Sequence, residues 1–472
     1  MTLNNRKIYI IILVFASIAT HFAYFGQPAE TVFDEVHFGK FISGYFTGEY
    51  FFDIHPPLGK LMLSGTGYLA GFEPGFGFEN IGQKYADSLY EWLRLAPTVA
   101  GILLPIVIFL LALELRFSNF AAFGAGALVA LENSLLVQSR FILLDSFLLL
   151  FGFLSLLFYF KYKNRRSTSD ARYQIFLILA GFFGALAASV KWTGATFLTI
   201  VCILYLIDWI KNDRKTRTAV GGIAWLILTP IVIYFGTFAL HFKLLDKSGP
   251  GDAFMTPGFR KTLTDSADYN NPDIRPSNIL EKFKELNLQM YKSNATLTAT
   301  HPYSSQWYTW PFMARPIYYW NGSTKPAAGD SAGSPQTQSR IYLLGNPIIW
   351  WASTIAIIYL IIGLAQQIWQ KIVKRNVTLG YIPVLLGGAY ILNLLPFVGI
   401  RRAMFLYHYF PTLIFSIIAL VYLIDKLPKR KTAFAVLLAL SVIAFVFFAP
   451  LTYGLPLSES GYNWRVWLGS WL

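Results

Sequence analysis

Stretches of about 18 or more apolar residues recur along this chain, and each is long enough to cross a bilayer as one helix. Eleven such runs lie at roughly 8–26, 95–113, 118–136, 141–160, 174–190, 193–210, 219–242, 341–364, 377–399, 403–424 and 432–450. In hydrocarbon each backbone polar group must be satisfied within its own segment, so such a chain folds as a helical bundle. Composition agrees: 55% of residues are hydrophobic and 14% charged, far from the average of soluble domains. Residues 1–26 have the outline of a signal peptide, but no small-residue cleavage site follows and further apolar runs do. The sequence therefore predicts an all-α polytopic membrane protein of about eleven transmembrane helices, a single transmembrane domain over 1–472.

Charge sets the orientation. Cytoplasmic loops carry the excess of Lys and Arg. With the N-terminus inside, the inner segments hold Arg6, Lys7, Arg116, Lys161, Lys163, Arg165, Arg166, Arg172, Lys211, Arg214, Lys215, Arg217, Lys371, Lys374, Arg375, Lys426, Lys429, Arg430 and Lys431. The short outer loops hold only Arg140, Lys191, Arg401 and Arg402. The N-terminus is thus expected in the cytoplasm and the C-terminus outside. The formal charge of +14 is anchoring charge at the inner leaflet. No basic–aromatic motif accompanies it, so nucleic acid is not an expected partner. The lone Cys202 excludes an intrachain disulfide.

Two long segments fall outside, at 27–94 and 243–340. The first contains FDEVHFGKFISGYFTGEYFFDIHPPLGK, residues 33–60, which crowds Asp34, Glu35, His37, Asp53 and His55 against the membrane surface. Ionisable groups there are costly to desolvate and are usually retained for chemistry. A carboxylate at Asp34 or Glu35 can take a proton from a hydroxyl if partial burial raises its pKa. Alternatively, Asp34 caps a helix that starts at Glu35. In HPPLGK the two prolines forbid helix and hold a turn, flanked by Asp53, His55 and Lys60 and followed by a short interfacial helix over 58–69. His55 is either a ligand or part of that turn. No tight metal-ligand spacing occurs, so no metal is expected.

Arg94, Arg140, Lys191, Arg401 and Arg402 all fall at outer helix ends. Each alone can snorkel to headgroups; together they suit a lipid-linked phosphate. Arg140 and Asp145 are spaced to neutralise each other across one turn, with Glu132 in the same polar cluster. The second outer segment contains HPYSSQWYTWPFMARPIYYW, residues 301–320, whose aromatics form either an interfacial belt or a platform for sugar or peptide. The polar stretch 321–339 reads as a loop.

The strings FDEVHFGKF, FFDIHPPLGKL, QSRFILLDS, SVKWTG, LLDKSGPGDAFMTPGF, HPYSSQWYTWP, GNPIIWW and RRAMFLYHYFP resemble the protein O-mannosyltransferases, membrane glycosyltransferases of the GT-C fold. Eukaryotic members carry a MIR domain in the long external loop, for which 243–340 is too short. The chain thus resembles a bacterial or archaeal member, which implies the plasma membrane with the active site on its external face. The resemblance further implies a polyprenyl-phosphate-mannose donor, the Ser or Thr hydroxyls of exported polypeptides as acceptors, inversion at the anomeric carbon, and no cofactor. Asp34 and Glu35 match the family's first-loop acidic pair, Asp34 as base and Glu35 orienting the acceptor. Arg94, with Arg140, Lys191, Arg401, Arg402, Tyr407 and His408, would surround the donor phosphate. His37, Asp53, His55, Lys60, His301, Tyr303, Ser304 and Trp307 would bind acceptor or sugar or shape the loops. Two alternatives stand: a GT-C transferase moving another sugar to a lipid or glycan, and a lipid or sugar transporter. A transporter predicts mid-helix charges and inverted repeats, which the sequence lacks.

Overall fold

The computed structural model describes residues 2–165, 173–211, 217–296, 300–322, 337–374, 378–400 and 402–471. Arg401, Arg166, Arg172, Arg214, Lys215 and Arg375, and 323–336 of the polar stretch, lie outside the described residues.

Each of the eleven apolar runs contains a helix. In chain order the helices are α1 (Thr2–Phe22), α2 (Glu35–Thr47), α3 (Leu58–Ala70), α4 (Leu89–Glu114), α5 (Asn119–Ala130), α6 (Asn133–Ser139), α7 (Asp145–Arg165), α8 (Gln174–Val190) and α9 (Ala195–Lys211). They continue as α10 (Arg217–Leu244), α11 (Pro257–Arg260), α12 (Ile279–Thr296), α13 (Pro347–Lys374), α14 (Tyr381–Leu394), α15 (Phe410–Asp425), α16 (Arg430–Tyr453) and α17 (Glu459–Asn463). Among the described residues, seven helices are long and apolar enough to cross a bilayer, or eight when the bent pair α5–α6 counts as one span. The outward faces are hydrocarbon-like: Ile231, Val232 and Leu228 of α10 are all exposed.

Two expectations need correction. The run 118–136 is not one straight helix; α5 and α6 meet at 59°. Glu132 sits at the break, buried, and accepts hydrogen bonds from Leu135 N (2.8 Å), Ser134 Oγ (2.6 Å) and Asn346 N (2.7 Å). It caps α6 and anchors the start of α13, so it does not join Arg140. The fold is also not wholly helical. Strands β1 (Ile317–Asn321), β2 (Thr337–Leu343) and β3 (Pro456–Ser458) form an antiparallel sheet in the order β1-β2-β3. The run read as a helix over 341–364 therefore begins in β2, with Ile317 opposite Leu343 and Asn321 opposite Arg340. Its Ile and Tyr side chains suit a pleated, half-buried surface, and the helix starts only at Pro347.

The core is one continuous cluster through α4, α5, α7, α13 and α15. Close approach depends on small residues: a Cβ at Gly152 of α7 would lie 2.5 Å from the Phe197 ring of α9. Segment 27–94 forms α2 and α3, and α2 ends at Gly48, whose φ of +83° favours glycine. A second, smaller core joins Tyr45, Tyr50 and Phe51 to Phe238 and Phe242 of α10, Phe259 and Leu286. It ties segments 27–94 and 243–340 together.

Candidate active site

The adjacent acids Asp34 and Glu35 have opposite fates. Glu35 is fully buried and forms a two-toothed pair with Arg94, which is also fully buried: Nε to Oε1 at 2.8 Å and Nη2 to Oε2 at 2.7 Å. Arg94 spends its remaining N–H groups on the carbonyls of Gly26, Pro28 and Glu30. Glu35 accepts further bonds from Val32 N, Tyr85 Oη and Ile142 N. All five guanidinium donors are thus committed. This corrects two expectations: Arg94 has no donor left for a phosphate, and Glu35 is sealed away from an acceptor. Together they lock α2, α4 and the chain that follows α1.

Asp34 occupies the N-cap position of α2, as the capping alternative expects, yet its side chain makes no capping hydrogen bond. No hydrogen bond to its carboxylate occurs among the described residues. The turn before it is fixed by Phe33, whose φ is +46°, a left-handed conformation uncommon for a bulky residue. Phe33 N donates to the Tyr319 carbonyl (3.2 Å), and its ring stacks on that of Tyr319 at 4.1 Å. Asp34 is half-buried, and burial raises its pKa to about 7. The positive charge of Lys191 opposes the rise, while Asp145 and Asp53 add to it. Such a carboxylate is matched to proton transfer near neutrality.

Arg140 departs from expectation too. It donates to the carbonyls of His21 (2.9 Å), Ala23 and Tyr24 (2.6 Å) and lies over the Tyr453 ring. It closes the C-terminal end of α1, where carbonyls lack helical partners, and is not aimed at a ligand. Nor does it pair with Asp145, whose partner is Lys191, with both carboxylate oxygens at 2.8 and 2.9 Å. Gln138 Nε2 donates to the same carboxylate at 2.6 Å. The Gln138 and Tyr319 roles escaped sequence reasoning; the only trace of Gln138 was its place in the QSRFILLDS string.

Lys191 and Arg402 border a cavity of about 360 Å³ together with His55, Trp192, Thr193, Asn294 and His408. The double proline bends the chain so that His55 reaches it. Lys60, buried, holds that turn by pairing with Asp53 and donating to the carbonyls of His55 (2.8 Å) and Pro56 (3.2 Å). Asp53 and Lys60 therefore shape the loop. Burial keeps His55 well below the usual imidazole pKa, aided by the charges of Lys191, Lys60 and Arg402, so it is neutral at pH 7. His408 fixes its Nδ1 on the Phe405 carbonyl at 2.9 Å and stacks on Tyr407 at 4.6 Å. Tyr407 in turn lies under the Lys191 ammonium, 5.1 Å from its ring centre.

The HPYSS string packs on the loop before α15. Ser305 N donates to the Met404 carbonyl (2.8 Å), and the His301 ring lies edge-on to Phe405 at 5.0 Å. His301 also accepts from Tyr303 N through Nδ1 and from Ser304 N through its carbonyl. Tyr303 lies 6.0 Å from the Tyr318 ring and Trp307 5.7 Å from that of Tyr308. His37 stands exposed on α2. Among the described residues no group of three His, Cys, Asp or Glu side chains is placed to hold a metal ion.

Directly below the cavity, α9 and α14 are pinned by the Thr196 hydroxyl donating to Asn393 Oδ1 at 2.6 Å. The same two helices line a mostly apolar seam of about 1130 Å³, with Ile200, Leu204, Ile207, Leu385 and Leu392 in its walls together with Lys211 and Lys371.

A helical membrane bundle with a carboxylate and a cationic cavity at its loop face defines a class. The fold is that of the polytopic GT-C membrane glycosyltransferases. The chain superposes on the Saccharomyces cerevisiae protein O-mannosyltransferase Pmt1-Pmt2 complex bound to the sugar donor with a TM-score of 0.86, covering 99% of this chain and 92% of that one at 21% identity. It also matches the Archaeoglobus fulgidus oligosaccharyltransferase tethered to an acceptor peptide at a TM-score of 0.53 and 13% identity, over 98% of this chain and 57% of that one. Residues 11–246 match the family described as dolichyl-phosphate-mannose-protein mannosyltransferase, and 279–471 match the C-terminal four-helix region of protein O-mannosyltransferases. The chain belongs to the protein O-mannosyltransferase family. Dolichyl-phosphate-mannose–protein mannosyltransferase 4 of Schizosaccharomyces pombe is 35% identical over 308 residues, 63% of this chain but only 39% of that protein's length.

Proposed function

We propose that this protein transfers mannose from a polyprenyl-phosphate-mannose donor to Ser or Thr hydroxyls of exported polypeptides at the external face of the plasma membrane. In this reading eleven spans place the N-terminus inside, and the segments 27–94 and 243–340 outside. The observation that carries it is the unspent Asp34 carboxylate, tuned to about 7, at the same end of the bundle as a cavity bordered by Lys191 and Arg402.

The chemistry is one displacement. Asp34 takes the hydroxyl proton as the acceptor oxygen attacks the anomeric carbon. The bond from that carbon to the phosphate oxygen breaks, and its electron pair leaves with the phosphate. Lys191 and Arg402 stabilise the negative charge that develops there, and fixed charges aimed at a leaving group are among the strongest aids to catalysis a site can offer. Neutral His55 and His408 line the same cavity and can hydrogen-bond the phosphate without adding charge. The apolar seam between α9 and α14 suits the isoprenoid chain.

The test is transfer of radiolabelled mannose from polyprenyl-phosphate mannose to a Ser/Thr-rich peptide by the purified protein. Transfer that persists in the presence of a chelator is expected; transfer only to a lipid or glycan would replace the acceptor class, and loss on chelation would overturn the metal-free mechanism. The pH profile follows from Asp34. A base must be ionised, so below about pH 7 the rate is expected to rise roughly tenfold per pH unit and to level off above it. A plateau reaching down to pH 5 would remove Asp34 as the base. Arg402→Ala is expected to lower kcat/KM for the donor by about 10²-fold, measured with the fold checked by thermal melting.

A further inference from the structure

Lys191 and Phe33, the neighbour of Asp34 in the chain, belong to one closed ring of contacts, most of whose members the proposed reaction does not use. Starting at Phe33, beside Asp34, the ring passes by stacking to Tyr319. The Tyr319 hydroxyl donates to Gln138 Oε1, which obliges the amide nitrogen of Gln138 to face Asp145. Asp145 grips Lys191 through both oxygens. Lys191 lies over Tyr407, and the Tyr407 ring meets Phe33 edge-on at 6.5 Å. Gln138, Asp145, Tyr319 and Lys191 are all buried. A buried network with every member satisfied is rigid and specific.

We infer that Asp145 is the positioning residue of this active site: held by Gln138, it aims the Lys191 ammonium at the phosphate cavity and sets its own negative charge toward Asp34. The inference rests on the functional reading above. A lone lysine is a flexible point charge. Held by a carboxylate that is itself held by Gln138, it becomes a fixed one, which is what stabilising a leaving phosphate without reorganisation demands. The charges facing Asp34 come from several elements: Asp145 at the start of α7, Lys191 between α8 and α9, and Asp53 in the first outer loop. Tyr319 of β1 and Tyr407 before α15 also face it, and His37 lies one turn along its own helix. Of these, Asp145 acts on both partners at once.

Two readouts independent of mannose transfer test this. The first is carbodiimide labelling of Asp34 against pH, read by mass spectrometry on the full-length protein in detergent. Removing a neighbouring anion makes the ionised carboxylate easier to form, so in Asp145→Asn the labelling midpoint is expected to fall by about half a pH unit or more. In Asp145→Glu it should stay at the wild-type value. The second is the rise in melting temperature on adding farnesyl phosphate, which binding to the native state produces. That rise should shrink in Asp145→Asn and in Tyr319→Phe, which removes only the hydroxyl that orients Gln138. An unmoved midpoint, or a farnesyl phosphate response in Tyr319→Phe equal to wild type, overturns the inference. Absence of mannose transfer by the wild type would instead overturn the functional reading and leave both readouts interpretable.

Discussion

Asp34→Asn is expected to reduce mannose transfer by about 10²–10⁴-fold, the usual contribution of a general base, while leaving the melting temperature at or slightly above the wild-type value. The two halves of this expectation have one origin. The Asp34 carboxylate makes no capping bond and is raised to about 7 mainly by burial. A group whose charged form is disfavoured in the folded state adds nothing to stability when ionised. Its isosteric amide fills the same space without that cost. The variant should therefore be a well-folded protein that still binds donor and does not turn over. Retention of more than about a tenth of the activity would show that the proton leaves by another route, and loss of folding would show that Asp34 holds the structure instead.

Arg94→Ala should fail for the opposite reason. It strands the Glu35 carboxylate, fully buried, without its pairing cation. It also strips donors from the carbonyls of Gly26, Pro28 and Glu30. Breaking one side of a buried ion pair costs about 3–5 kcal/mol. The expected result is a large drop in melting temperature and in the yield of folded protein, with activity lost in proportion to the folded fraction. Glu35→Gln alone should cost less, because the amide keeps an acceptor for Arg94. Pairing Arg94→Met with Glu35→Gln should recover part of the loss, since no unpaired charge is left buried. A stable, folded Arg94→Ala that merely binds donor poorly would restore Arg94 to the phosphate site and refute the scaffold role.

The contrast between these variants shows where the sequence was legible. Apolar length marked a helix in each of the eleven runs, because a bilayer-spanning segment must advertise itself in composition; the polar helix α12 left no such signal. Neighbouring acids such as Asp34 and Glu35 carry the same charge and the same chemistry on paper. Which one turns inward depends on the start of α2 and on the left-handed backbone at Phe33, a tertiary choice enforced by stacking on Tyr319, nearly three hundred residues away. The outer arginines misled for a related reason. Arg94 and Arg140 are consumed by main-chain carbonyls, and carbonyls are present at every position, so their demand leaves no trace in the side-chain sequence. Lys191 and Arg402 do reach a common cavity. The strand at 337–343 was hidden because its apolar end, Ile341–Leu343, abuts the next helix and lengthens its hydropathy signal.

The apolar seam between α9 and α14 has a consequence for how the proposed enzyme would be saturated. Its walls include Ile203 and Ile207, both exposed, so in the proposed membrane setting it is reached sideways from hydrocarbon, whereas Asp34 and the cationic cavity lie at the loop face of the bundle. One substrate would then arrive by diffusion in the plane of the membrane and the other from water. The first is counted as a mole fraction of the surrounding lipid and the second as a molarity. Adding detergent or inert phospholipid at fixed total donor should therefore slow the reaction as the donor is diluted across more surface, and leave its dependence on peptide concentration in the aqueous phase unchanged.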